Sequence, residues 1–155
     1  MNPEFLTRAI ELSREGMRAN EGGPFGAVVV RDGEIIAEGN NRVLLTNDPT
    51  NHAEMVAIRR ATETLGRFDL SDCELYASCE PCPMCLGAIY WARLGRVWFA
   101  NTREDAADID FDDSLIYREL DKPIGERLIP FEHVPDERAR EIFAEWMDKA
   151  DRTPY

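Results

Sequence analysis

His52, Glu54, Cys82 and Cys85 are the residues of this chain whose types and spacing can do chemistry. The sequence reads H-A-E at 52–54 and P-C-P-M-C at 81–85, with Cys82 thirty positions after His52. One imidazole and two thiolates are natural zinc ligands. Three protein ligands leave a fourth tetrahedral position open for water, the arrangement of a catalytic rather than a structural site. Both groups fall where helix N-termini are expected, and the partial positive charge there favours thiolates. Pro81 and Pro83 suit a helix entry as well. Glu54 is the candidate general acid/base, moving protons on and off a water whose pKa the zinc lowers to about 7, so that hydroxide is available at neutral pH. Residues i and i+2 of a regular helix point to roughly opposite sides. His52 and Glu54 can therefore face one metal only from an irregular first turn.

Blander readings stand beside this one. A C-x-x-C pair suits thioredoxin-like redox chemistry, but that chemistry needs neither Pro83 nor a distant H-x-E. Cys79, Cys82 and Cys85 also begin an iron–sulfur spacing, yet the cysteine expected three residues later is Ala88, followed by Ile89 rather than proline. A closed structural zinc site, recruiting Cys73, Cys79 or His133 as fourth ligand, is the serious non-enzymatic alternative. Otherwise Cys73 and Cys79 read as small buried hydrophobes.

The elements that must position these residues can be read from patterning. At 155 residues, 44% apolar and 31% charged, the chain fits one folded domain over 1–155. Asn2 and Pro3 open an amphipathic helix that runs toward Gly22-Gly23. Asp32-Gly33, flanked by apolar runs, predicts an antiparallel hairpin of strands at 25–31 and 34–40. Residues 44–50 read as a loop, and a helix begins between Asp48 and Thr50 and ends at Gly66. A strand at 73–78, a helix at 81–91 and a strand at 96–100 form an α/β run of the kind that makes parallel pairings. Six acidic residues crowd 104–113, followed by a short helix at 114–120, a fifth strand at 128–133 and a terminal amphipathic helix at 136–149.

Composition bounds location and partners. The longest apolar stretches, 26–30 and 86–91, fall far short of a membrane span. The N-terminal stretch lacks a basic region followed by an apolar core, and four cysteines within thirteen positions favour metal or redox chemistry over disulfides, so the expected location is the cytoplasm. Net charge is -12, and lysine occurs only at 122 and 149. Such a chain repels polyanions unless a local basic patch exists.

H-x-E with P-C-x-x-C is the signature of the zinc nucleobase deaminases. Beyond it, the chain resembles the bacterial guanine deaminases of the cytidine-deaminase-like superfamily over nearly its whole length. The resemblance is carried by GGPFGAVVV from Gly22, NDPTNHAE from Asn47, SCEPCPMCLGAIYWAR from Ser78, FDDSLIY from Phe111 and an aromatic final residue, Tyr155. It implies a three-layer α/β/α domain around a five-stranded mixed sheet, a homodimer, and one Zn2+ per chain on His52, Cys82 and Cys85. The implied reaction is hydrolysis of guanine to xanthine and ammonia, with Glu54 shuttling protons and Asp113 as a second catalytic carboxylate. The implied purine contacts are Phe25, Asn41, Ala53, Trp91 and Tyr155.

The chemistry of these side chains fits those roles. A flat base is recognised by stacking and by hydrogen bonds to its edge, which suits Phe25, Trp91 and Asn41. Guanine's N1-H and exocyclic amine are adjacent donors, and Asp113 is an acceptor-only partner for them or a proton carrier at the amine. Without the resemblance, Asp113 reads as an exposed charge in an acidic loop, and Phe25 and Trp91 as core packing. Tyr155 needs its tail pinned, for which a dimer partner is one means.

Three rival functions share these motifs. A tRNA adenosine deaminase has the same H-A-E and P-C-P-M-C, but the charge argues against nucleic acid unless Arg59, Arg60 and Arg67 form a patch. A small-molecule aminohydrolase for cytosine, guanosine or an amino-triazine would differ only in its pocket walls. A structural zinc module would carry a fourth protein ligand.

Overall fold

The computed structural model describes residues 1–155. Helix α1, Pro3–Arg18, begins as its sequence predicts: Asn2 Oδ1 accepts the Glu4 N–H at 3.0 Å, and Pro3 supplies a first position that needs no donor. It stops four residues before the Gly22-Gly23 pair. Asn20 takes a left-handed φ of 57°, while Asn20 N–H bonds Met17 O and Glu21 N–H bonds Gly16 O, the paired bonds of a Schellman ending.

Strands β1, Gly26–Arg31, and β2, Glu34–Asn40, form the expected hairpin. Both turn residues have positive φ, 52° at Asp32 and 81° at Gly33, matching the right-handed twist of the strands. A short helix α2, Val43–Thr46, occupies part of the predicted loop. Helix α3, Ala53–Leu65, starts after His52, later than its Asp-Pro sequence suggested, and closes on the left-handed Gly66. Strand β3, Cys73–Cys79, helix α4, Pro83–Trp91, and strand β4, Arg96–Asn101, complete the α/β run. Helix α5, Arg103–Ala107, arises inside the acidic segment, where Thr102 and Asp105 cap each other reciprocally.

The sheet is mixed, in the order β2-β1-β3-β4, with β1 antiparallel to both neighbours and β3 parallel to β4. Both faces of the central strands are buried, which makes three layers. Val28, Val30 and Tyr76 face α1 through Leu12, while Ala27, Val29, Leu75 and Ala77 meet Ala53, Ala57 and Ala61 of α3 and Ile89 of α4. Gly39 permits the close approach of α3. A methyl there would lie 2.4 Å from Ala53 O and 2.7 Å from Ala57 N, so only a residue without Cβ lets the first turns of α3 rest on β2.

The sheet has four strands rather than the five expected. The predicted strand at 128–133 forms no ladder: Leu128 N–H bonds the Glu119 carboxylate at 2.6 Å and Pro130 has no N–H to offer.

Two compact units divide the chain, Met1–Ser114 and Leu115–Tyr155. The first contains the sheet and the five helices α1–α5. The second contains most of α6, Ser114–Asp121, a 3-10 turn at Ile124–Glu126 and α7, Glu137–Asp148, capped by Asp136. Glu119 organises it, accepting from Lys122 Nζ at 2.6 Å as well as from Leu128. No helix of the chain is long and apolar enough to cross a membrane.

Candidate active site

Two helix starts on one face of the sheet bring the predicted ligands together. His52 is the N-cap residue of α3 and Cys82 that of α4, both in extended backbone, and Cys85 lies one turn into α4. His52 Nδ1 stands 3.5 Å from Cys82 Sγ and 3.6 Å from Cys85 Sγ, and the three ligand atoms lie within 4.8 Å of one another. A zinc about 2.3 Å from sulfur and about 2.0 Å from nitrogen sets tetrahedral ligand atoms roughly 3.6 Å apart. The donor set and its spacing fit that ion.

Cys82 is held down to about 4, first by its contact with the Cys85 thiol and then by His52. Cys85 is pushed up, first by Cys82 and then by burial. A dication on both sulfurs removes this competition, because each thiol then binds deprotonated. Cys73 and Cys79 do not join the group. They stand at opposite ends of β3, and the Cys79 thiol faces the carbonyl of Thr102 at 3.5 Å. Burial, first among the causes, raises both of these thiols to about 11.

Glu54 is buried at 7% exposure in the first turn of α3. Burial raises its carboxyl above the usual range, the Cys82 charge adds to this, and its own backbone amide, His52 and the Cys85 thiol oppose it. The irregular turn required by H-x-E is thus present: His52 lies outside the helix and Glu54 inside it, and both meet the thiols.

Asp113 is half-buried while residues 108–112 are exposed. Burial raises its carboxyl, and the Cys82 charge raises it further. Asn41 is buried, and its Oδ1 accepts from Gly23 N–H at 3.3 Å and Val43 N–H at 3.2 Å. Its Nδ2 makes no hydrogen bond within the chain and remains a free donor. Phe25 packs on the core cluster that contains Ala53, and its ring meets Phe111 edge to face at 4.9 Å. Ala53, 1% exposed, is the first residue of α3, where the amide has no intrahelical acceptor. Trp91 lies at the far end of α4 from Cys82, about 13 Å along the axis at 1.5 Å per residue, and is 68% exposed. Its helix does not bring it to the ligands. Tyr155 ends the second unit and is exposed.

Residues 1–101 match the cytidine and deoxycytidylate deaminase zinc-binding region. The chain is 56% identical to guanine deaminase of Bacillus subtilis (strain 168), over 100% of both proteins. This chain belongs to the guanine deaminase family. The X-ray structure of guanine deaminase from Bacillus subtilis shares its fold, with a TM-score of 0.97 at 55% identity over 100% of this chain and 99% of that one. A tRNA-specific adenosine deaminase of Aquifex aeolicus is 37% identical over 88% of this chain and 89% of that protein.

In this guanine deaminase family member, the three arginines of the candidate basic patch are engaged locally. Arg59 donates to Asn51 and Thr50, Arg60 to Glu38 O, and Arg67 to Asp72. Arg59 and Asn51 also have a structural role that patterning did not indicate. Asn51 O accepts the Arg42 N–H at 2.9 Å, so this pair ties the segment before His52 both to α3 and to the Asn41 turn. The N in NDPTNHAE is the only sequence trace of that link.

Proposed function

We propose that the chain catalyses hydrolytic deamination of guanine to xanthine and ammonia. The observation that carries this reading is the buried Glu54 carboxyl, held in the first turn of α3 beside one three-ligand zinc site. Zinc held by His52, Cys82 and Cys85 supplies a water that is reactive near neutral pH. Glu54 takes a proton from the attacking water and delivers it to the ring nitrogen beside the attacked carbon. It then carries the second proton to the departing amine, which leaves as neutral ammonia. Its burial beside the thiols places it where a proton carrier to and from that water is needed.

Substrate recognition is assigned to the surrounding residues. Asn41 Nδ2 offers a donor to an acceptor on the base, the first amide of α3, that of Ala53, offers another, and Phe25 offers a ring. Asp113 accepts from adjacent N–H donors of guanine or carries a proton at the amine. Tyr155 closes the pocket in this reading, with the tail pinned across a homodimer. In support, the second unit has no buried residue and leaves Ile142, Phe143 and Trp146 exposed on α7. The two units serve one deaminase domain acting in the cytoplasm.

Ammonia release from guanine, guanosine, adenine, cytosine and an anticodon stem-loop RNA tests the assignment. Guanine turnover is expected, falling about 10²–10⁴-fold in Glu54→Gln with zinc content unchanged. Activity confined to the RNA would transfer the reading to a tRNA adenosine deaminase, and no activity with a fourth protein ligand on zinc would make the site structural.

A further inference from the structure

The Phe111 ring joins two parts of the site's wall. It packs edge-on against Phe25, with centroids 4.9 Å apart and planes at 86°, so that the positive rim of one ring meets the negative face of the other. Its tip lies over Gly23. A methyl on Gly23 would stand 2.8 Å from Phe111 Cζ and 3.0 Å from Phe25 Cε2, so the rings fill the space a side chain would take. Gly23 also donates its N–H to Asn41 Oδ1. Phe25, Asn41 and Phe111 thus meet at one residue that lacks a Cβ.

Only one residue separates Phe111 from Asp113, and the backbone between them is held on both sides. Phe111 N–H bonds Ala106 O at 3.0 Å, and the Asp112 carboxylate accepts the Ser114 N–H at 2.8 Å and its hydroxyl at 3.0 Å. The Phe111 ring, packed on Phe25 and Gly23, adds a third tie to the turn that carries Asp113, beside these hydrogen bonds. The ring stays 46% exposed, so its placement does not follow from burial.

We propose that Phe111 is a positioning residue for Asp113, with its ring clamped on Phe25 and Gly23 to set where the Asp113 carboxylate stands relative to the His52, Cys82 and Cys85 group. The inference rests on Asp113 acting on substrate, as assigned above. Through Asp113 it makes Phe111 a determinant of preference for bases with adjacent N–H and amino donors.

A double-mutant cycle on the zinc-loaded full chain tests this, with kcat/KM for guanine, zinc content and Tm measured for each variant. Phe111→Ala should lower kcat/KM by about 10–100-fold with zinc retained, and by less than about twofold in an Asp113→Asn background. Phe111→Leu, which keeps an apolar contact, should recover most of the loss. Gly23→Ala, which keeps the ring but displaces it, should reproduce the loss, and it replaces Phe111→Ala in the cycle if that variant does not fold. Equal losses in both backgrounds would make Phe111 a packing residue only and overturn the proposal. Full activity in Asp113→Asn alone would instead overturn the role of Asp113.

Discussion

His52 and Glu54 stand on either side of the first residue of α3, His52 in extended backbone at the N-cap and Glu54 in the first helical turn. On a continuous helix their side chains would diverge. The break at Ala53 turns both toward Cys82 and Cys85, and Ala53 is also the residue whose carbonyl approaches Gly39 most closely.

Gly39 is therefore expected to control the site from β2. Gly39→Val should destabilise the fold by ~1–3 kcal/mol through overpacking against the first turns of α3, with zinc affinity falling alongside. Chemical denaturation and metal analysis check this. A variant as stable as the parent, with full zinc, would contradict the close approach.

Removal of zinc should cost both stability and turnover, and replacement should restore both. At a free zinc concentration about a hundred times the dissociation constant, binding contributes about 2.7 kcal/mol, or roughly 5–10 °C in Tm for a chain of this size. Scanning calorimetry before and after chelation reads the difference, and His52→Ala should show none.

Asp69 gives an acid-stability prediction. Its carboxyl is drawn from 3.8 to about 2 by the Ser71 hydroxyl and amide, and then by Arg93. The folded value is lowered, so the stabilisation is present above the ordinary carboxylate range and is lost as pH falls toward 2. Asp69→Asn should flatten the fall in Tm between about pH 4 and pH 2. Superimposable Tm profiles for the two proteins would count against the assignment.

Deletion of residues 151–155 addresses the tail. Guanine turnover should drop severely while zinc content stays at one per chain, since no zinc ligand lies in that segment. Unchanged kinetics would remove Tyr155 from the pocket. Light scattering of the parent chain, expected to give twice the monomer mass, tests the homodimer separately.

Most of the first unit was legible because its signals are local. Asn2-Pro3 caps α1, Asp32-Gly33 turns the hairpin, and Gly66 closes α3, each through backbone geometry that its own residue type favours. The expected strand at 128–133 failed because its apolar residues imitate a strand while Pro130 and the Glu119 bond to Leu128 deny it a ladder. Helix α5 was missed because a reciprocal Thr102–Asp105 cap can start a helix in a segment that reads only as negative charge.

By itself the sequence determined the ligand types, the H-x-E spacing and the two helix starts that make a three-ligand zinc site, because these depend on residues close together in the chain. Only the tertiary structure decided which groups share that site. It buries Glu54 against the thiols, half-buries Asp113 at the end of an exposed acidic run, and leaves Trp91 at the far end of its helix. It also seats Phe111 on Gly23, eighty-eight residues away in the chain. Burial and electrostatic reach are properties of packing between distant segments, and no local pattern of residues encodes them.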